Sequence, residues 1–201
     1  NGFYTGKVAE DIVNYLNSLG GVHTLEDFFV QDTEFIKPIS TSYRGKNISA
    51  IPPSNPGLTT LMILNILEGF DLASLGPTSG ERLHLMAEAT RLAYNAREEN
   101  VGDPNFVDFD IERLISKEWA EEARKKISQD CVMEMDYISP PAHPDTVYLS
   151  VIDKDRNVVS FINSVFYSFG SGLVTPKTGI VLQNRGAGFR LNPGHPNCIE
   201  P

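Results

Sequence analysis

The chain has 201 residues, 41% of them hydrophobic and 21% charged, the balance of a globular protein with ample material for a core and not of a disordered or low-complexity segment. Acidic residues outnumber basic ones 26 to 17, for a formal charge of −9, and such a surface repels nucleic-acid phosphates and anionic lipid. No apolar run approaches the roughly 20 residues that span a bilayer, and the two cysteines, Cys131 and Cys198, have neither metal-ligand spacing nor the number for a disulfide framework. The sequence opens on Asn1 with no signal-like apolar stretch after it, so it reads as a piece of a longer protein whose compartment, cytoplasmic or exported, stays open.

Apolar residues at Val8, Ile12, Tyr15, Leu16 and Leu19 have helical spacing, and Gly20-Gly21 supplies the stop. Thr24 with Asp27 reads as an N-cap opening a short helix through Phe29. Alternation at Ile39, Thr41 and Tyr43, a turn at Arg44-Gly45-Lys46-Asn47 and a return over 48–51 predict a hairpin. A breaker cluster at 52–57 precedes an all-round apolar segment, Leu58 to Leu67, expected as a buried helix. Ser79 is placed to cap a long helix over 80–99 with Leu83, Met86, Ala87, Thr90 and Tyr94 inward, and a last helix is expected from Ser116 through Ile127.

The character changes at Ile138 to Asp145. Three prolines in eight residues cannot continue a helix or sit in a central strand, so an exposed linker is expected. Strands are expected at Thr146 to Asp153, Asn157 to Phe166 and Gly179 to Gln183, with a glycine-rich stretch, Asn184 to Phe189, after the last. Helices thus dominate the first 145 residues and strands the last 56. The histidines at 23, 84, 143 and 195 lack HxxxH or HxH spacing and no Walker pattern occurs, so neither a metal nor a cofactor is expected.

Thr146 stands where the linker meets a strand. A chain-terminal threonine carries its own base, an α-amino group with a pKa of about 7.7 to 8.0, and can form an acyl-enzyme without a histidine. An internal threonine gains that amine only when the preceding bond breaks, and Asp145-Thr146 is the candidate bond. If Lys154-Asp155-Arg156 forms the hairpin loop, Asp153 faces Asn157 and Thr146 faces Ser164 on the same sheet face, where a hydroxyl can hold the threonine rotamer. A threonine opening a strand after Pro-Asp is equally an ordinary loop exit.

The run from Asp145 to Asn157, followed by Phe169-Gly170-Ser171-Gly172 and Thr178 to Asn184, resembles the γ-glutamyltranspeptidase family of N-terminal-nucleophile hydrolases. Phe3 to Gly6, Pro52-Pro53-Ser54, Leu67 to Leu72, Arg82 to Ala89 and Val101 to Pro104 match upstream in the same order. The resemblance implies an α+β fold, the αββα sandwich, present here only as a fragment. It also implies a precursor cleaved before the threonine, with residues 1–145 ending the large subunit and 146–201 opening the small one. The implied substrate is a small γ-glutamyl or other acyl amide, with no nucleic-acid partner and no evident membrane partner. The implied arginine for the substrate α-carboxylate lies before Asn1, and the oxyanion residues lie after Pro201.

Several positions depart from the family pattern. Ser164 takes the place of a second threonine and keeps the hydroxyl. Phe166 stands where transpeptidases carry a substrate-contacting asparagine. Arg185 replaces a polar residue, and Gly188 replaces the aspartate that grips the glutamyl ammonium. The stretch 184–189 is similar instead to the acylase branch, which includes cephalosporin acylase relatives. Intact Thr146 chemistry with weakened γ-glutamyl specificity, and water as the usual acceptor, is the expectation. A catalytically silent homologue and an unprocessed, inert fragment are the rival readings.

Overall fold

A computed structural model describes residues 2–134 and 144–199. The packing forms two compact units, one from residues 1–34 and 139–188, the other from 35–138 and 189–201. Both units draw on residues from either side of position 145.

In the second unit, β1 (Ile39–Tyr43) and β2 (Lys46–Ala50) pair antiparallel, with Thr41 opposite Ile48. The turn is two residues, tighter than the four expected. Arg44 at φ 48° and Gly45 at φ 75° both adopt the left-handed conformation that matches the twist of a hairpin. Helix α3 (Gly57–Glu68) is apolar on most sides, as expected of a buried helix, and Leu58, Leu61, Met62 and Ile66 have at most 1% of their surface exposed. Ser79 does cap α4 (Gly80–Asn100), its hydroxyl accepting from the Arg82 amide at 3.3 Å.

The inward face of α4 differs from the one expected. Leu85, Glu88, Ala89, Leu92, Ala93 and Ala96 are buried, while Leu83 and Met86 are exposed. Alanines at 89, 93 and 96 fit the α3–α4 contact, and the Glu88 carboxylate is satisfied inside by Arg91 Nη1 at 2.7 Å and the Met133 amide at 2.9 Å. Burial alone would raise the Glu88 pKa, but these bonds outweigh it and hold the carboxyl below its ordinary value.

A short helix that the sequence reading missed, α5 (Ile111–Leu114), is capped by Asp110, and α6 (Lys117–Arg124), capped by Ser116, stops before Ile127. Buried Asn65 links three elements, accepting from the Thr41 hydroxyl at 2.8 Å and donating to the Ile115 carbonyl at 2.7 Å. Residues 189–199 join this unit through Glu98, which bonds Arg190 and lies 3.3 Å from His195 Nε2.

The first unit begins with α1 (Lys7–Ser18), matching its expectation. Thr24 does not cap α2 (Glu26–Phe29), whose N-cap is Leu25. Instead Thr24 donates to the Asp27 carboxylate from its amide at 2.7 Å and its hydroxyl at 3.1 Å. The unit's main feature is a ribbon of β3 (Pro144–Ile152) and β4 (Val158–Tyr167). Of the expected linker 138–145, residues 138–143 lie outside the described residues, and strand backbone begins at Pro144, before Thr146. A proline at the first strand position gives up no central ladder bond.

The expected strand at Gly179 to Gln183 is absent as a strand and reduces to one bridge, Val174 to Val181. Its partner segment is broken by Gly172 at φ 73° and by Pro176, which cannot donate a ladder bond. Buried Asp11 of α1 ties this segment down, accepting from the Thr178 hydroxyl and amide at 2.7 Å each and from the Lys177 amide at 3.1 Å. Burial raises the Asp11 pKa, yet these donors together bring it below its ordinary value.

Candidate active site

The site is built from the loop end of the ribbon upward. Asp153 fixes the loop: its carboxylate accepts from the Asp155 amide at 2.8 Å, the Asn157 amide at 2.9 Å and the Asn157 side chain at 2.8 Å. These bonds, led by the Asn157 side chain, hold its carboxyl below the usual range. Arg156, at φ 66°, completes the three-residue loop, and the Asp153 amide donates to the Asn157 carbonyl at 3.1 Å. Ile152 then faces Val158, and the ladder runs without a slip to Thr146 opposite Ser164. This is the register expected from the loop.

Thr146 is exposed, and its Oγ1 donates to Ser164 Oγ at 3.0 Å. Ser164 Oγ also accepts from the Phe166 amide at 3.0 Å. The serine hydroxyl is therefore fixed by the backbone of its own strand while it faces the threonine. Between Pro144 and Thr146 the register shifts, since Pro144 pairs with Tyr167. Asp145 thus lies across from two residues of β4, Val165 and Phe166, which form a bulge beside the candidate scissile bond. Phe166 takes φ 81°, a left-handed conformation that costs a residue with a Cβ about 1 to 2 kcal/mol. Bulges of this kind redirect side chains near active sites.

Arg185 reaches the same place from a separate segment. After β4, the chain runs through Phe169 and Gly170, both at positive φ, and then back along itself, Leu182 exchanging bonds with Leu173 and Ser171. A Cβ on Gly170 would come within 2.3 Å of the Leu182 carbonyl, so only glycine allows this close return. Asn184 docks the returning segment on β4: its amide donates to the Val165 carbonyl at 3.2 Å and its side chain accepts from the Tyr167 amide at 3.1 Å. Arg185 follows at the start of a single 3₁₀ turn, Arg185–Gly188. Its guanidinium lies 5.4 Å above the Phe166 ring, and Nη2 is 3.3 Å from the Ser164 carbonyl.

Thr146, Ser164, Phe166 and Arg185 are therefore brought together within one compact unit. Gly188 ends the turn, and a Cβ there would meet nothing within 4 Å. The backbone of Asp145 precedes Thr146 in β3. Asn184, which the sequence reading quoted only within a motif, is the residue that docks the arginine segment; its signal is a polar residue closing an apolar run. The arrangement presents a held hydroxyl pair, one member on a potential chain terminus, with a cation beside it. Among the described residues no cluster of three or more potential metal ligands occurs.

The sequence profile described as gamma-glutamyltranspeptidase matches residues 1–201. The chain is 38% identical to the glutathione hydrolase-like YwrD proenzyme of Bacillus subtilis over 99% of its length, covering 37% of that protein. It is 35% identical to the glutathione hydrolase proenzyme of Escherichia coli over 97% of its length, covering 35% of it. The cephalosporin acylase of Bacillus halodurans superposes on the whole chain with a TM-score of 0.85 at 38% identity, and the chain covers 36% of that structure. The chain thus spans about a third of the length of the relatives it matches, and its mixture of helices and antiparallel strands is a fragment of their fold.

Proposed function

The chain belongs to the γ-glutamyltranspeptidase family, and on that premise we propose that the full-length protein cuts itself between Asp145 and Thr146 and then hydrolyses small γ-glutamyl or related acyl amides through an ester on Thr146. The observation that carries this reading is the 3.0 Å hydroxyl pair of Thr146 and Ser164 at the start of a strand. In self-cleavage the Thr146 hydroxyl oxygen attacks the Asp145 carbonyl. The peptide C–N bond breaks as an ester forms, and the proton passes to the freed amine. Water opens the ester, leaving an Asp145 carboxylate and a Thr146 that carries both hydroxyl and α-amine.

In turnover that amine takes the hydroxyl proton as Oγ1 attacks the substrate carbonyl. The amine product leaves with the proton, and water, or a second amine, releases the acyl group. Ser164, already bonded to the Phe166 amide, holds the Thr146 rotamer and donates to Oγ1 as its charge develops. Residues 1–145 then end the large subunit and 146–201 open the small one. Each compact unit contains parts of both, so Asp11 with Thr178, and Glu98 with Arg190, tie the subunits together once the chain is cut. Relatives named glutathione hydrolase, acylase and oxamate amidohydrolase support amide hydrolysis as the shared chemistry. Rapid quenching of the processed enzyme with γ-glutamyl p-nitroanilide should show one acyl adduct by mass, located on Thr146. An adduct on any other residue contradicts the mechanism.

A further inference from the structure

We infer that Asn184 is a positioning residue for self-cleavage: it holds the bulge in β4 that aims the Ser164 hydroxyl at Thr146. This rests on the reading that Thr146 attacks the bond before it. Between the pairs Thr146–Ser164 and Pro144–Tyr167, one residue of β3 faces two of β4, Val165 and Phe166. Phe166 takes φ 81°, and its amide donates to Ser164 Oγ of its own strand at 3.0 Å. That bond fixes the oxygen that accepts from Thr146 Oγ1 at 3.0 Å. The hydroxyl pair thus depends on a left-handed backbone that costs a residue with a Cβ about 1 to 2 kcal/mol. Such a conformation persists only where its surroundings hold it.

Asn184 brackets Phe166. Its amide donates to the Val165 carbonyl at 3.2 Å, and its side-chain oxygen accepts from the Tyr167 amide at 3.1 Å. A residue of a neighbouring parallel strand would bond the groups on either side of Phe166 in the same way, with its backbone carbonyl as the acceptor. Here that carbonyl is already committed: it accepts from the Ala187 amide at 3.0 Å as the 3₁₀ turn begins. The side chain takes over the acceptor's part, so the residue type matters at this position. The segment reaches β4 already restrained, by the bonds of Leu182 with Leu173 and Ser171 and by those of Lys177 and Thr178 to Asp11. Asn184 is therefore a fixed point against which the bulge is held. Its influence on Thr146 runs through the Phe166 amide and Ser164.

The test is a double-mutant cycle on self-cleavage of the full-length protein, followed by gel electrophoresis after cell-free synthesis. Asn184→Ala should slow cleavage about three- to tenfold, and Asn184→Asp, which keeps an acceptor oxygen, should recover most of that loss. In a Ser164→Ala background the hydroxyl to be aimed is gone, and there Asn184→Ala should change the rate by less than about twofold. A loss of the same size in both backgrounds, an unslowed Asn184→Ala, or no recovery with Asn184→Asp would overturn the positioning role. Should denaturant unfolding show that Asn184→Ala does not fold, Asn184→Gln, which displaces the acceptor, takes its place in the cycle. Thr146→Ala separates the two levels of the account. If that variant stays uncut and the cycle is additive, only the role of Asn184 fails; if it is cut, the nucleophile reading fails and the role of Asn184 with it.

Discussion

The helical unit and the β3–β4 ribbon satisfy their apolar residues in opposite ways. Around α3 the side chains of Leu61, Met62, Ile66, Ala89 and Ala93 are fully buried by neighbouring helices within the same unit. Along the ribbon, Val147, Leu149, Val151, Phe161 and Ile162 all remain between 43% and 66% exposed. Successive residues of a strand point to opposite faces, so both faces of the ribbon are apolar. That is the pattern of strands from the interior of a layered sandwich, and a two-stranded ribbon alone is marginal in water. The helical unit carries its own core. The ribbon carries the proposed nucleophile, and it is held by local devices: the Asp153 loop, the Asn184 dock and the hydroxyl pair.

This division implies that core changes act mainly on stability and ribbon changes act also on rate. The largest effect belongs to the core. Leu61→Ala removes a fully buried side chain and should destabilise full-length protein by about 2 to 5 kcal/mol in denaturant unfolding. A loss below about 1 kcal/mol would show that the helical unit is not the self-sufficient part. Next comes Ser164→Ala, which removes the hydroxyl that accepts from both Thr146 Oγ1 and the Phe166 amide. Loss of the bond to Thr146 should slow self-cleavage and turnover about two- to tenfold, equivalent to about 0.5 to 1.5 kcal/mol, and loss of the bond to the Phe166 amide should lower stability by about 0.5 to 1.5 kcal/mol. Ser164→Thr should restore the rate; failure to do so would remove the hydroxyl from its supporting role.

The smallest effect is expected at Phe166→Gly. Relief of the left-handed backbone, about 1 kcal/mol, opposes loss of the ring's contacts with Tyr167 and Arg185, about 0.5 to 1.5 kcal/mol. Unfolding free energy should change by less than about 1 kcal/mol. A loss beyond about 2 kcal/mol would mean that the ring, and not the backbone bulge, organises this end of the ribbon.

What was legible in the sequence follows the same division. The ribbon register could be read because Asp153, Lys154, Asp155, Arg156 and Asn157 specify the loop, and a loop fixes every pairing beyond it. Thr146 and Ser164 followed at once. The buried face of α4 could not be read from hydrophobicity, because Glu88 goes inside on the strength of bonds to Arg91 and to distant Met133 while Leu83 stays out. The glycine-containing stretch Ser168 to Gly172 separates the expected strands, but nothing in it shows the return that lays Asn184 on β4. The placement of Arg185 over Phe166 depends on that return, and so appears only in three dimensions.

The central claim is that Thr146 is the nucleophile that frees itself. Intact-mass measurement of purified full-length protein beside its Thr146→Ala variant tests it most directly. The account predicts two chains for the wild type, the smaller beginning at Thr146, and one uncut chain for the variant. A variant that is cut efficiently between Asp145 and residue 146, or a folded wild type that stays whole, would contradict it.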